Sequence, residues 1–523
     1  FSVAFCGRRS ARFIAFTEER AVMWTTVALV VTVLVFIFYK SSHRPSNFPP
    51  GPLVIPFLGH VVSIMIHSLP VAMMKLATKY GNIVSFKSLG EWTVLISDTE
   101  LMRTTMADSA YADRMQLMLF NIRDQILLGK KWTQLGIIGT NGEVWKNQRR
   151  FTLRTLKDLG FGRRSIEPII TSELEELVEY FTQRQGQKLN IALLFNRSVV
   201  NVLWAMVIGK RFSHNDTRLH DLVDKVQNIA RSFNIFHPAL QFPWIHKVFP
   251  NLKVIKDIER CMKDLLAFIE EETAQHKKET GGADDLSSYL GAYQLEMKEA
   301  QREGRETPLT LPHLKANILE LFMAGSETTS TTMSWAIYLM ACNPEVQRRV
   351  QEELDQVVGR DNLPTFEHMD SLPYTTATIY EVQRIGNILP VGVPRQTSRD
   401  VTLQGYHIPK GTGVILNLSA AHRDPKYWKY PDRFYPQHFL TPEGKVLKPD
   451  SFLPFGFGKR VCLGESLARL ELFSFMTTLM HRFSWRLSDD PRVFSKVNMI
   501  RMPPSYTVTA TSRTDDSTIT RKG

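Results

Sequence analysis

Only four cysteines occur in the 523 residues, Cys6, Cys261, Cys342 and Cys462, with no C-x-x-C spacing and no pairing pattern. That scarcity excludes a disulfide framework and a cysteine zinc site, and suits a reducing compartment such as the cytosol. Linkers are missing too. No Pro/Gly/Ser-rich stretch divides the chain after residue 52, so one large domain is expected although the length exceeds a typical single core. Aromatic-rich basic repeats are absent, and although Lys+Arg outnumber Asp+Glu by 64 to 52, the excess is dispersed. This argues against nucleic acid and for a basic docking face or a membrane surface. Long apolar runs are equally scarce, with one exception. From Ala21 to Tyr39 the chain carries no charge, and as a helix this run reaches ~28 Å, near the thickness of a bilayer core.

That run reads as a single transmembrane helix, over residues 21–40. No small-residue cleavage site follows it at Tyr39-Lys40-Ser41-Ser42, which argues against a signal peptide. Lys40 and Arg44 place everything downstream on the cytosolic side. Pro45, Pro49, Pro50 and Pro52 then stop the helix, so 41–52 is expected to be a stiff hinge that separates anchor and body mechanically. The chain opens with Phe1, and Met23 stands at the mouth of the apolar run, so residues 1–20 are treated as an upstream segment of uncertain status. Arg8, Arg9 and Arg12 there also mimic a mitochondrial transit peptide, a minor reading beside the span that follows.

Downstream, helical periodicity marks 144–155, 172–185, 200–207, 219–233, 252–280, 312–342 and 374–385. Short β-like runs lie at 83–86, 93–96, 401–408 and 413–418. The expected fold class is mainly α with small β-sheets, the main domain spanning 53–506. The polar tail 507–523 is expected to lack order.

Chemistry concentrates around Cys462. Gly456 and Gly458 allow a tight turn that aims backbone N–H groups at the sulfur, Arg460 brings a cation for a carboxylate, and Phe455 covers the thiol. Gly464 leaves room for a flat macrocycle beside a helix whose positive end points at Cys462. The form F-x-x-G-x-R-x-C-x-G resembles the haem-ligand signature of the cytochrome P450 family, which makes Cys462 the expected iron ligand and Phe455, Arg460 and Gly464 its surroundings.

Other landmarks agree. A helix opened by Pro312 and ended before Pro344 carries Ala324-Gly325-Ser326-Glu327-Thr328-Thr329, where a glycine and back-bonding hydroxyls predict a local opening. This is similar to the family's oxygen-binding helix, which implies that Glu327 and Thr328 manage protons. Glu381 and Arg384 share a helix face at E-x-x-R spacing; in the family this pair is structural, joined by a basic residue that here is His438, as in the microsomal second-family members. Trp145 and Arg149 lie four apart and match the W-x-x-x-R motif that binds a haem propionate, and Arg395 is a further propionate candidate by the same likeness. Lys146, Arg150, Arg154 and Lys157 share the tryptophan's helix and fit an acidic partner. The apolar stretch Phe233 to Ile245 matches the region that dips into the membrane beside the substrate channel.

The resemblance implies a membrane-bound haem-thiolate monooxygenase of the endoplasmic reticulum. It would carry haem b, draw NADPH electrons through cytochrome P450 reductase, with cytochrome b5 as a second partner, and act on a lipophilic small molecule. Two rivals stand beside this: a haem-thiolate isomerase or lyase that needs no O2, against which the Glu327–Thr328 pair argues, and a non-catalytic haem-binding membrane protein.

Overall fold

The computed structural model describes residues 43–53, 69–88, 91–130, 133–191, 194–213, 216–232, 251–279, 285–489 and 500–513, with 23–33 and scattered positions at 35–39 and 240–249. Helices dominate: α1 (Leu69–Tyr80), α2 (Thr99–Ala107), α3 (Met118–Leu128), α4 (Gly142–Asp158), α5 (Glu167–Gln183), α6 (Leu194–Ile208), α7 (Thr217–Ser232) and α8 (Lys253–Glu279) fill the first half. The second half holds α9 (Tyr289–Arg302), α10 (Leu311–Cys342), α11 (Pro344–Val357), α12 (Pro373–Gly386), the short α13 (Leu418–Ala421) and α14 (Glu465–Arg482).

Five strands form one mixed sheet in the order β1 (Ile83–Ser88), β2 (Glu91–Ile96), β7 (Gly413–Leu416), β4 (Arg395–Gln396) and β3 (Asp113–Arg114). Only β2 and β7 run parallel; the other pairs are antiparallel. The run at 401–408 is a hairpin of β5 (Val401–Leu403) and β6 (Tyr406–Ile408). Its turn residues Gln404 and Gly405 both have positive φ, as a two-residue hairpin loop requires.

The order expected to be missing from residue 507 onward begins one residue later as a strand. β9 (Val508–Ser512) pairs with β8 (Phe483–Leu487). Phe483 and Trp485 alternate inward from β8 and Val508 and Ala510 from β9, so burial of one sheet face outweighs the polar composition of the tail. Residues 514–523 lie outside the described residues.

Part of the segment expected to be a hinge is docked. Residues 47–50 are bound to the domain: Asn47 Nδ2 donates to Gly405 O at 2.7 Å, His407 N to Asn47 O at 2.8 Å, and Ser85 N and Oγ to Pro50 O and Pro49 O. Proline carbonyls remain good acceptors although proline donates nothing, so the stiff segment docks on the sheet instead of standing apart. Residues 23–33 are helical with exposed apolar side chains, and among the described residues no helix is long and apolar enough to cross a membrane. The stretch 233–245 lies outside the described residues save positions 240 and 245.

The main core joins helices from α1 to α14 with β8 and β9, and buries Trp204, Trp335 and Trp485 almost completely. A second cluster under the five-stranded sheet packs Val94, Val414 and Leu416 against Met106 and Leu453. Burying a side chain such as Leu453 contributes about 1.5–3 kcal/mol, and it fixes the first residue of the loop that carries Cys462.

Candidate active site

The cysteine loop is a stack of tight turns. Gly456 N bonds Leu453 O, Val461 N bonds Gly458 O, and Cys462 N bonds Phe455 O at 2.9 Å. Gly456 and Gly458 have φ of 72° and 71°, and a Cβ on Gly458 would collide with the Met106 carbonyl. The loop therefore needs glycine there on two counts. Gly464 caps α14, and the N–H groups of Gly464 and Glu465 bond the Cys462 sulfur.

Cys462 is solvent-accessible, yet enough protein surrounds its sulfur for burial to be the largest influence on it, pushing the thiol up. The two backbone N–H groups and Arg149 act the other way, and Glu465 adds to the rise. The loop alone therefore does not make a thiolate. A cation at the sulfur would, because a metal ligand must be deprotonated and the bound charge drives that step. Phe455 lies 5.1 Å from the Arg469 guanidinium, and Arg469 is paired with Glu465.

Facing this loop is a cluster of four arginines. Strand register sets Arg114 of β3 directly opposite Arg395 of β4, a like-charge pairing that is unfavourable by itself. Arg149 of α4 and Arg460 of the cysteine loop join them. Arg395 is pushed down to about 10 by burial, and Arg460 to about 9 by burial and then by Arg395 and Arg149. Arg114 is lowered by burial and then by its three neighbours. Donors in this cluster stand idle: Arg114 Nε, Arg395 Nη1 and Trp145 Nε1 are buried with no partner. Crowded cations with unused donors fit a dianionic ligand, and the two propionates of a haem meet that need.

The arginines are not equivalent. Arg460 Nε donates to Ala112 O at 2.7 Å, Nη1 to Ile137 O and Nη2 to Thr140 O, and its guanidinium lies 3.8 Å from the Trp145 ring centroid. It stands where the sequence placed it, but its donors are engaged by backbone carbonyls. Arg149 Nη2 donates to Val461 O at 2.6 Å, beside Cys462. Arg114, which the sequence reading missed, sits in an Asp-Arg pair with no pattern to mark it; only the β3–β4 pairing brings it to Arg395.

The other wall is α10. A narrow cleft lies between Thr328, Thr329 and Thr332 of α10, Phe455, and Ala468 and Leu472 of α14. The expected opening of α10 is not there, since the helix runs unbroken from Leu311 to Cys342. Thr328 Oγ1 does bond back to Ala324 O at 2.8 Å. A Cβ on Gly325 would lie 2.6 Å from Leu203 Cδ2, so this glycine serves close packing of α10 on α6. Glu327 and Thr328 are not brought together either. Consecutive helical residues point about 100° apart, and Glu327 is buried on the α6 side, where Asn196 Nδ2 donates to its Oε1 at 2.7 Å.

Glu381, Arg384 and His438 do meet. Arg384 Nε and Nη2 form a fork onto the Glu381 carboxylate, and its remaining donors reach His422 O, Pro431 O and Arg433 O. Tyr430 N–H can only donate, so His438 Nε2 accepts it; Nδ1 then carries the proton and points at Glu381 Oε1, 3.3 Å away. The Nδ1–H tautomer thus joins Glu381 to the Tyr430 backbone.

One further cluster escaped the sequence reading. Glu320 of α10 accepts Ile137 N at 2.6 Å and Ile138 N at 2.7 Å, and is paired with the buried Arg123 of α3. Gly136, with φ of 86°, leaves room for that carboxylate. This latch holds the loop whose carbonyls at Ile137 and Thr140 receive Arg460.

Known proteins agree with this geometry. The family model described as Cytochrome P450 matches residues 49–510. Cytochrome P450 2J2 of Homo sapiens is 35% identical over 508 residues, 95% of this chain and 96% of that protein. Cytochrome P450 2J1 of Oryctolagus cuniculus is 35% identical, covering 88% of this chain and 90% of its own length. Cytochrome P450 2D26 of Rattus norvegicus is 34% identical, covering 90% and 94%. The match over most of its length shows that the chain belongs to the cytochrome P450 family of haem-thiolate monooxygenases.

Proposed function

We propose that the protein is a membrane-anchored monooxygenase that inserts one atom of O2 into a lipophilic organic substrate. NADPH electrons arrive through a flavoprotein reductase, with cytochrome b5 as a second donor. The cofactor is haem b, and the location is the endoplasmic reticulum membrane with the domain on the cytosolic side. The observation that carries this reading is the pair of buried arginines, Arg114 and Arg395, whose idle donors lack an anion; Arg149, of the same cluster, bonds the carbonyl next to Cys462.

Haem, when bound, would supply the redox and oxygen-activating chemistry. The chain supplies the rest. Cys462 is the iron ligand, and the N–H groups of Gly464 and Glu465 with Arg149 stabilise its charge. Arg114, Arg395, Arg149 and Trp145 receive the propionates, while Arg460 ties the cysteine loop to the 137–140 segment. Thr328 brings a hydroxyl to the cleft wall for proton delivery, whereas Glu327, held by Asn196 on the α6 side, does not line the cleft. Anchoring rests on the apolar run 21–39, with the stretch 233–245 as a second membrane contact; the neighbouring Val248 and Phe249 are exposed.

Membranes carrying the protein, its reductase, NADPH and a lipid extract should yield products heavier by one oxygen. Cys462→Ala should abolish both product and the thiolate-type carbon-monoxide band of the reduced haem. A retained thiolate band would remove the ligand assignment.

A further inference from the structure

His422, just after α13, is fully buried, and both of its ring nitrogens are committed. Leu453 N donates to Nε2 at 3.1 Å. A backbone N–H cannot accept, so the proton sits on Nδ1, which donates to Asn387 Oδ1 at 3.0 Å. That bond orients the Asn387 amide, whose Nδ2 donates to Ser419 Oγ at 2.9 Å, and the Ser419 hydroxyl donates in turn to Pro390 O at 3.1 Å. The result is a one-way donor chain.

Its two ends matter. Leu453 starts the turn that leads through Phe455 to Cys462. Asn387 caps α12 in a left-handed conformation with φ of 39°, and Arg384 of the same helix donates to His422 O at 2.8 Å. His422 also lines the cleft together with Phe455. One imidazole therefore joins the cleft wall, the first residue of the cysteine loop and the Glu381–Arg384 core.

We propose that His422 is a positioning residue for Cys462: as the Nδ1–H tautomer it anchors the amino-terminal arm of the cysteine loop to α12. The ring must stay neutral for this, because a protonated Nε2 would face Leu453 N–H donor to donor. Burial, then Arg384 of α12 and the adjacent Arg423, push the imidazole down to about 3. The Phe452 ring also lies beside it, with centroids 6.1 Å apart. The proposal rests on Cys462 being the haem ligand.

The test is Asn387→Asp in the haem-loaded full chain, with the thiolate-type fraction of the reduced carbon-monoxide spectrum followed from about pH 8 to about pH 6. A carboxylate against Nδ1–H favours imidazolium, so the variant should lose about half of its thiolate signal reversibly on acidification while the wild type stays level. Asn387→Gly, which keeps the left-handed backbone but removes the acceptor, should speed hydrogen exchange at the Leu453 amide about tenfold. A pH-independent spectrum in Asn387→Asp, or unchanged Leu453 exchange in Asn387→Gly, overturns the proposal. Cys462→Ala is the separate control: a thiolate band surviving there would discard the ligand assignment itself.

Discussion

Buried arginines in this fold are treated in two opposite ways. Arg384 is buried with its donors distributed over Glu381 and three carbonyls, and Glu381 in turn receives Tyr435 N and His438. Arg114 and Arg395 face one another with idle donors and other cations as neighbours. The first group is complete without a ligand, because every desolvated hydrogen has an acceptor. The second keeps idle donors, Arg114 Nε and Arg395 Nη1, for something anionic to meet. Satisfied burial marks what holds the fold; unsatisfied burial of one sign marks what the fold receives.

The largest effect expected from breaking this contrast lies on the complete side. Glu381→Gln leaves Arg384 buried without its counter-charge and should cost about 3–5 kcal/mol, seen in denaturant unfolding with or without haem. A loss below about 1 kcal/mol would mean that the two arginine groups do not differ as argued. Next comes Arg395→Met. It relieves repulsion in the cradle, so the haem-free protein should unfold at the same denaturant concentration or higher, while haem transfer to an excess of acceptor globin should quicken about tenfold through loss of a charge-assisted bond. Equal destabilisation of both forms would place Arg395 among the structural arginines.

Glu471 sharpens the comparison from the acidic side. It is buried on α14 with Oε1 unpartnered, and burial pushes its carboxyl up to about 8 although the Thr329 hydroxyl pulls the other way. A group whose folded value is raised adds stability that is complete below its unfolded value of ~4.3 and is lost as pH climbs toward 8. Glu471→Gln should therefore gain on the wild type as pH rises from about 5 to about 9, read as the difference in melting temperature. A difference that stays level with pH would show that Glu471 is ionised throughout.

The smallest effect on stability belongs to Thr328→Ala. The hydroxyl only bonds back along its own helix, so unfolding should shift by less than about 0.5–1 kcal/mol. Turnover should nevertheless uncouple, with NADPH consumed and peroxide released. Coupling equal to wild type would take Thr328 out of proton delivery.

Much of the site was legible because its signals are local. Cys462 declares itself through glycines whose positive φ and close approach no other residue meets, and the limits of α10 follow from Pro312 and Pro344. Local signals failed where partners come from far along the chain. Arg114 and Glu320 have no neighbours in sequence that mark them. Glu327 was expected to act beside Thr328 because they adjoin in sequence, whereas helical geometry turns it to Asn196.

By itself, then, the sequence determined the family and the limits of α10, and singled out Cys462 among four cysteines, since each depends on residue types at fixed short spacings. Tertiary structure decided which arginines lack partners, which way Glu327 faces, that His438 links Glu381 to the Tyr430 backbone, and that Val508–Ser512 is a strand. Those outcomes depend on hydrogen-bond satisfaction and burial between segments distant in the chain, and no local pattern encodes a partner that arrives only when the chain has folded.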